Sequence, residues 1–292
     1  MILSLDIGGS KIAAGLVKKD KVFYFKKIKW QRPLTKQKII NQILKIISEF
    51  KVCGLKFKVI AVAIAGEVNK KGEVIITRNL IKNKTKIPLK KILVEKFHLP
   101  VFVENDANCF ALAEAIFGRG KGKKSVIGLT LGSGIGGGII FNQKIFGGKD
   151  GYAGELGHMI IKANGERCAC GKRGCFEAYA SVTALRKFYT RLSGRKITGE
   201  MIDELFRKKD KKAILASQKV ADYLAIGLSN VVNIFNPEAV ILGGGLTRFN
   251  WLIKTAIKKT RGLVIIPQSS TKIFLSQFKD KSALIGAALL VK

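Results

Sequence analysis

Leu5-Asp6-Ile7-Gly8-Gly9-Ser10-Lys11, running on through Ile12 to Val17, has a second copy in Leu129-Thr130-Leu131-Gly132-Ser133-Gly134, which returns through Ile139-Ile140-Phe141. Each copy reads as an apolar strand, a glycine turn and a second apolar strand. A nucleoside triphosphate needs many donors close to its phosphates, and backbone N–H groups supply them where side chains stand aside. A Gly-rich strand-turn-strand hairpin is such an anion nest. An ordinary hairpin also uses Gly for positive φ, so one copy alone is weak evidence. Two aligned copies, with a third glycine run at Gly243-Gly244-Gly245, favour nucleotide binding. The expected phosphate contacts are Gly8, Gly9, Ser10 and Lys11 in the first turn and Gly132, Ser133, Gly134 and Gly136 in the second. Asp6 stands where the first turn begins, placed to hold Mg²⁺ through water.

Gly132, Gly134 and Gly137 formally match the G-x-G-x-x-G dinucleotide fingerprint, but that fingerprint requires a helix after the turn. Here Ile139-Ile140-Phe141 follow, which is a strand. No G-x-x-x-x-G-K-[ST] run exists either, so a P-loop is excluded.

Outward from the hairpins, strands alternate with helices. Thr35 opens an amphipathic helix carrying Ile39, Ile40, Ile43, Leu44, Ile46 and Ile47, and Lys58 to Ala65 is a buried strand ending at Gly66. A polar loop is expected from Lys82 to Lys86. Val101-Phe102-Val103 is a strand stopped by Glu104-Asn105-Asp106, and Ala107 to Phe117 is a helix. Later helices are expected around Ser181 to Thr190, Lys211 to Phe235 and Asn250 to Thr260, with a strand at Ala239 to Leu242 and a closing helix at Ser282 to Val291. Two similar α/β halves argue for a two-lobed protein. The expected lobes are 1–107, joined by the C-terminal helix 282–292, and 108–281.

Asp is a good helix N-cap, and a cap is the plain reading of Asp106. In a chain with two phosphate turns, a carboxylate at a strand-to-helix corner is also placed to accept the proton of an alcohol attacking a γ-phosphate. That combination favours Asp106 as general base.

His158 and Cys168-Ala-Cys170-Gly-Lys-Arg-Gly-Cys175 supply one imidazole and three thiols. Together these close a tetrahedral Cys3His shell with no open position, the arrangement of structural zinc. Glu155 and Glu177 flank the cluster, so the metal would fix two acids in space to grip a polar ligand. The other cysteines, Cys53 and Cys109, read as packed free thiols.

At 292 residues the chain has room for one or two domains with a large core. Its apolar runs, such as Val59 to Ala65 and Ala283 to Val291, are too short to span a bilayer. No export signal is read at the start, and together with reduced cysteines this fits the cytoplasm. The formal charge of +33 would suggest nucleic acid. The Lys and Arg residues are dispersed, however, and no basic block interleaved with aromatics stands out, so the charge reads as a solvated coat.

These motifs together resemble the ROK family of sugar kinases and sugar-responsive repressors, within the actin-like ATPase superfamily. LDIGGSKIAAGLV (Leu5 to Val17) and LTLGSGIGGGII (Leu129 to Ile140) resemble its phosphate motifs, and ENDANCFALAE (Glu104 to Glu114) its catalytic motif. GELGHM (Gly154 to Met159) with CACGKRGCFEAYAS (Cys168 to Ser181) resembles its zinc and sugar signature. The resemblance implies an actin-like, ribonuclease H-like fold with a zinc loop, and phosphorylation of a hexose 6-hydroxyl by ATP with Asp106 as base. It implies sugar contacts from Asn105, Asp106, Glu155, His158 and Glu177, with Gly66 and Asn79 lining the same pocket, and zinc held by His158, Cys168, Cys170 and Cys175. It also implies a homodimer. Ala65 stands where members commonly have Pro, and Ile81-Lys82-Asn83-Lys84 where a Pro-Gly-Trp-like run is common. Both departures fall on the sugar side. They count against glucose in particular and leave the transfer chemistry untouched; glucose stays the first expectation of the resemblance, with fructose, mannose, allose and N-acetylmannosamine as alternatives. A repressor would need a winged helix-turn-helix ahead of Leu5, and a binding protein without turnover would not need Asp6 and Asp106.

Overall fold

The computed structural model describes residues 1–9, 11–30, 33–76, 85–265 and 270–291. Ser10 and Asn79, both expected ligand contacts, lie outside the described residues, as does the segment 82–84 of the expected polar loop.

The first sheet is built from β1 (Ile2–Ile7), β2 (Lys11–Lys18) and β3 (Lys21–Lys29), followed by α1 (Lys36–Val52) and β4 (Val59–Ile64). A small three-stranded sheet follows, from β5 (Glu67–Val68), β6 (Val74–Ile76) and β7 (Thr85–Ile87). Next come α2 (Leu89–Phe97), β8 (Val101–Asn105) and α3 (Asp106–Ile116). The first sheet has the order β3-β2-β1-β4-β8, with β1, β4 and β8 parallel and β2 and β3 antiparallel. The remaining elements are β9 (Ser125–Leu131), β10 (Ile135–Phe141), β11 (Lys144–Ile145), α4 (Glu177–Ala180), α5 (Val182–Ser193), α6 (Gly199–Arg207), α7 (Lys211–Phe235), β12 (Ala239–Gly243), α8 (Asn250–Arg261), β13 (Lys272–Leu275) and α9 (Ser282–Ala288). The second sheet runs β11-β10-β9-β12-β13. Two sheets of the same design, each opened by a glycine hairpin, make this an actin-like α/β fold.

The chain divides into two compact units. One comprises Met1–Lys124, Gly138–Gly154 and Gln277–Lys292, the other Ser125–Gly137 and Glu155–Ser276. In the first unit α1 is capped by Thr35, whose hydroxyl accepts from Lys38 N at 3.2 Å. Its Ile39, Ile43, Ile46, Ile47 and Phe50 are buried with Leu3, Leu5 and Ile7 of β1 and Ile60, Val62 and Ile64 of β4. Removing this much branched apolar surface from water is the main stabilising term of the unit.

α9 packs against α3, as a closing helix should. Contact there is backbone to backbone: a Cβ on Gly286 would lie 1.7 Å from Cys109 O. Glu114, buried on α3, accepts from the backbone N–H of Gln277 and Phe278 and from the Ser282 hydroxyl at 3.1–3.2 Å, fixing the approach to α9. Gly286→Ala should therefore destabilise the fold by about 2–3 kcal/mol through overpacking. Urea unfolding would check this as a lowered midpoint with an unchanged slope.

Three local expectations are corrected. Thr85 and Lys86 belong to β7, where pairing with Ile76 and Ile75 overrides their polar character. Cys53 is exposed just past the end of α1, whereas Cys109 is buried as expected. On β3, Phe23, Tyr24 and Phe25 are 42%, 65% and 41% exposed between Lys21 and Lys26, a basic aromatic block that overall composition concealed. A register shift opposite Gly15, with Tyr24 at φ 50°, turns all three rings outward where a regular strand would alternate.

Candidate active site and metal centre

In the first unit the site grows from the ends of β1 and β8. The turn after β1 is closed by Gly8 N donating to Lys11 O at 3.0 Å and pinned by Trp30 Nε1 donating to Gly8 O at 2.7 Å. The Lys11 ammonium lies 3.6 Å from Asp280, which Lys27 also grips at 2.9 Å. Lys27's hydrogen bond holds the Asp280 carboxyl below its ordinary range.

At the second corner the plain reading of Asp106 as a cap gives way. Asn105 is the N-cap of α3: its Oδ1 accepts from Ala107 N at 2.8 Å and Asn108 N at 3.1 Å. Asp106 is the first helical residue, and its Oδ1 is 2.9 Å from Ala107 N. Asn105 also donates from Nδ2 to Gly66 O at 3.0 Å, so most of its amide is spent on the scaffold. Gly66 has φ 155°, and a Cβ there would sit 2.9 Å from Ile75 O, so glycine is required. Glu104 braces this corner from below, accepting from Asn105 N at 2.8 Å and Asn108 Nδ2 at 3.0 Å. Burial raises its pKa, offset by those two bonds. Sequence reasoning gave Glu104 no role, because bracing is visible only once the strand end and helix start face each other.

Both aspartates are shifted upward. Burial carries Asp106 to about 6, against the lowering effect of the bond from Ala107 N. Burial, then the nearby Asp106 charge, carries Asp6 to about 7, with Lys11 acting in the opposite direction. Two carboxylates that resist being negative together are the donor chemistry of a hard divalent cation such as Mg²⁺.

In the second unit the glycine hairpin is a structural hub. Gly132 N donates to Gly134 O at 2.8 Å, and Gly132 O accepts from Val182 N at 2.9 Å. A Cβ on Gly132 would meet nothing within 4 Å, so the space beside it is open although its own N–H and C=O are taken within the protein. Ile135 N donates to Glu177 Oε2 at 2.9 Å, and a Cβ on Gly134 would fall 1.9 Å from that oxygen. A Cβ on Gly157, beside His158, would fall 2.0 Å from Ile135 O. Gly244, at φ 89°, presses on Leu131 O, which its Cβ would approach to 2.6 Å. Glu177, Gly157 and the third glycine run thus all pack on the strands and turn of the second glycine hairpin. Gly134→Ala should displace Glu177 and raise the KM values of sugar and nucleotide together, by about tenfold or more given the sensitivity of sites to 1 Å shifts. Steady-state kinetics would check this.

The four expected metal ligands converge. Nδ1 of His158 and the Sγ atoms of Cys168, Cys170 and Cys175 all lie within 4.8 Å of one another, with Cys170–Cys175 and Cys168–His158 both at 3.7 Å. Zinc–sulfur bonds of about 2.3 Å in a tetrahedron demand sulfur–sulfur edges of about 3.8 Å, so the donor set fits zinc. Burial pushes the Cys168 and Cys175 thiols above their ordinary range, and a bound cation would reverse that preference. His158 Nε2 points away from the cluster toward Glu155 Oε2 at 3.7 Å, and Glu177 Oε1 lies 3.5 Å from Cys168 Sγ. With a metal on Nδ1, the proton stays on Nε2, where it can be donated to a ligand.

One feature has only a faint sequence signal. Beyond Gly243-Gly244-Gly245, a cavity of about 430 Å³ is lined by Phe206, Arg207, Ser217, Arg248 and Trp251. Phe206 and Trp251 rings are 5.0 Å apart, and the buried Ser217 Oγ has no hydrogen-bond partner. α6, which supplies Phe206, was not anticipated. Its Thr198 cap, accepting from Met201 N at 3.3 Å, was the available clue.

No helix among the described residues is long and apolar enough to cross a membrane. Comparison with known proteins extends the picture. Glucokinase of Thermotoga maritima is 30% identical over all of this chain and 97% of its own length. The xylose repressor of Bacillus spizizenii is 33% identical over 88% of this chain and 67% of its own length. The crystal structure of a ROK family glucokinase from Streptomyces griseus, in complex with glucose and AMPPNP, is 31% identical with a TM-score of 0.88, covering 99% of this chain and 98% of that one. The ROK family model matches residues 2–292, and the chain belongs to the ROK family.

Proposed function

We propose that the protein is an ATP-dependent kinase that phosphorylates the 6-hydroxyl of a hexose, glucose first among them. The observation that carries this reading is the corner after β8: Asn105 takes the capping role, leaving the Asp106 carboxylate available with a pKa of about 6. Asp106 accepts the hydroxyl proton as the sugar oxygen attacks the γ-phosphorus; the bond to the ADP oxygen breaks and ADP leaves. Phosphoryl transfer asks little more of a protein than positioning and charge stabilisation.

The two turns, Gly8, Gly9 and Lys11 in one and Gly132, Ser133, Gly134 and Gly136 in the other, take the phosphates, with Ser10 as a further contact; the N–H groups of Gly8 and Gly132 shape the turns and do not donate outward. Gly243 to Gly245 lead into the Phe206–Trp251 cavity, which takes the base, and Ser217 Oγ gains there the partner it lacks. Asp6 would hold Mg²⁺, whose chemistry when bound would be to neutralise phosphate charge. Glu155, His158 and Glu177 pair with sugar hydroxyls in fixed directions, Asn105 contributes its remaining Nδ2 hydrogen, and Gly66 and Asn79 are the further sugar-side residues that the family resemblance implies. Zinc on His158, Cys168, Cys170 and Cys175 supplies structure only, since four protein donors leave no open position. The molecule acts in the cytoplasm as a homodimer. Likeness to the glucokinases supports this reading.

A second reading, a sugar-responsive regulator of transcription, rests on likeness to the xylose repressor. An ADP-release screen with MgATP over glucose, fructose, mannose, allose and N-acetylhexosamines separates the two. Turnover with one hexose supports the kinase; sugar binding without ADP release on any of them supports the regulator.

A further inference from the structure

We propose that a groove on the outer side of the zinc loop is a binding site for a small molecule carrying two or more phosphate groups, separate from the phosphate turns. It is a cavity of about 490 Å³, the size of a small-ligand site, lined by Lys162, Arg167 and Arg173 of the loop and by Lys187, Arg191 and Lys219 of α5 and α7. Among the described residues its one carboxylate is Glu166. That acid is already taken, by Lys187 at 2.5 Å and by the Arg191 guanidinium at 2.5 and 2.9 Å. The bonds from Arg191 and Lys187 hold it down at about 2. Among the described residues Lys162, Arg167 and Lys219 face no carboxylate, and Arg173 donates one N–H to Gly165 O at 3.1 Å. Lys219 is held over the Phe188 ring, 4.7 Å from its centroid.

A built donor completes the groove. Tyr179 is 3% exposed, yet its hydroxyl reaches the cavity, accepting from Glu166 N at 2.5 Å. Room for it exists only because position 165 is glycine: a Cβ there would lie 2.0 Å from the hydroxyl oxygen. The hydroxyl proton remains free to donate to an anion. Guanidinium forks and ammonium groups around one cavity suit phosphate oxygens, and four cations beyond the two held by Glu166 suit more than one phosphate. The groove's dimensions select a small ligand over a duplex. A sugar bisphosphate and a nucleoside diphosphate share the required chemistry.

The test is calorimetry on full-length, zinc-loaded protein with inorganic tripolyphosphate as probe, comparing wild type with Arg167→Gln/Lys219→Gln. Both side chains are exposed and outside the catalytic machinery, and binding at any other site is common to the two proteins. The wild type should bind one more tripolyphosphate than the variant, or bind it at least about tenfold more tightly, a difference of about 1.4 kcal/mol. Parallel titrations with fructose 1,6-bisphosphate and ADP identify the source by which of them loses affinity in the variant. Superimposable isotherms for wild type and variant, or no binding by wild type, would overturn the site. If the first variant loses zinc, Lys162→Gln/Lys219→Gln replaces it under the same criteria.

Discussion

Asp106→Asn should lower kcat by about 10³-fold, within the range for loss of a positioned base, while leaving the sugar dissociation constant within a few-fold. Asparagine keeps the shape of the corner and removes only the proton acceptor. In the wild type, kcat/KM should fall about tenfold per pH unit below about 6, where burial keeps the carboxyl protonated. The same shift makes a stability statement. Asp106 binds its proton more tightly folded than unfolded, so its contribution is most favourable below the ordinary carboxylate pKa. That contribution is lost as pH rises through about 6. Because the side chain retains some exposure, the cost at pH 8 is about 1 kcal/mol, not the full shift. Asp106→Asn should therefore melt higher than wild type at pH 8 and level with it near pH 4. Retained turnover in the variant would remove Asp106 from the mechanism. Lost turnover with an unchanged melting curve at both pH values would leave the base assignment standing and reject the buried charge.

Cys170→Ser should abolish stoichiometric zinc and lower the melting temperature by about 10 °C or more, given that metal binding to such a set is folding free energy. Cys170 is the most informative ligand to change, because it is exposed while Cys168 and Cys175 are buried. Any loss then reports the metal and not a packing defect. The sugar KM should rise by about tenfold to a hundredfold, since His158 loses the bond that orients its Nε2, and Glu177 loses the loop it leans on. Chelation of wild type should reproduce both effects. Elemental analysis, melting curves and sugar kinetics on the same preparation decide the matter; full stability without zinc would make the cluster a set of packed thiols.

Much of the molecule is legible in the order of its residues. The two hairpins, the α1 face, the strand and helix around Glu104 to Phe117 and the bounds of α7 follow from local patterns: period-two and 3.6-residue apolar spacing, caps and glycine turns. β3, α6 and β13 are not legible in this way. β3 is lysine-rich and breaks alternation at its bulge, α6 is short, and β13 is a half-exposed edge strand that exists because it pairs with β12. The exchange of roles between Asn105 and Asp106 is also hidden. Both residues are good caps, and which one caps depends on where the helix starts relative to the end of β8.

The order of motifs along the chain determined by itself that this protein carries two glycine hairpins, an acid at a strand end and a clustered set of one histidine and three cysteines, because each depends on residues close in sequence. Only the tertiary structure decided what those motifs rest on. Glu177 and Gly157 both dock on Ile135, Gly244 docks on Leu131, and the Asp106 charge raises the proton affinity of Asp6. Such couplings arise from burial and close backbone approach between segments far apart in the chain, and composition, spacing and periodicity do not encode distance.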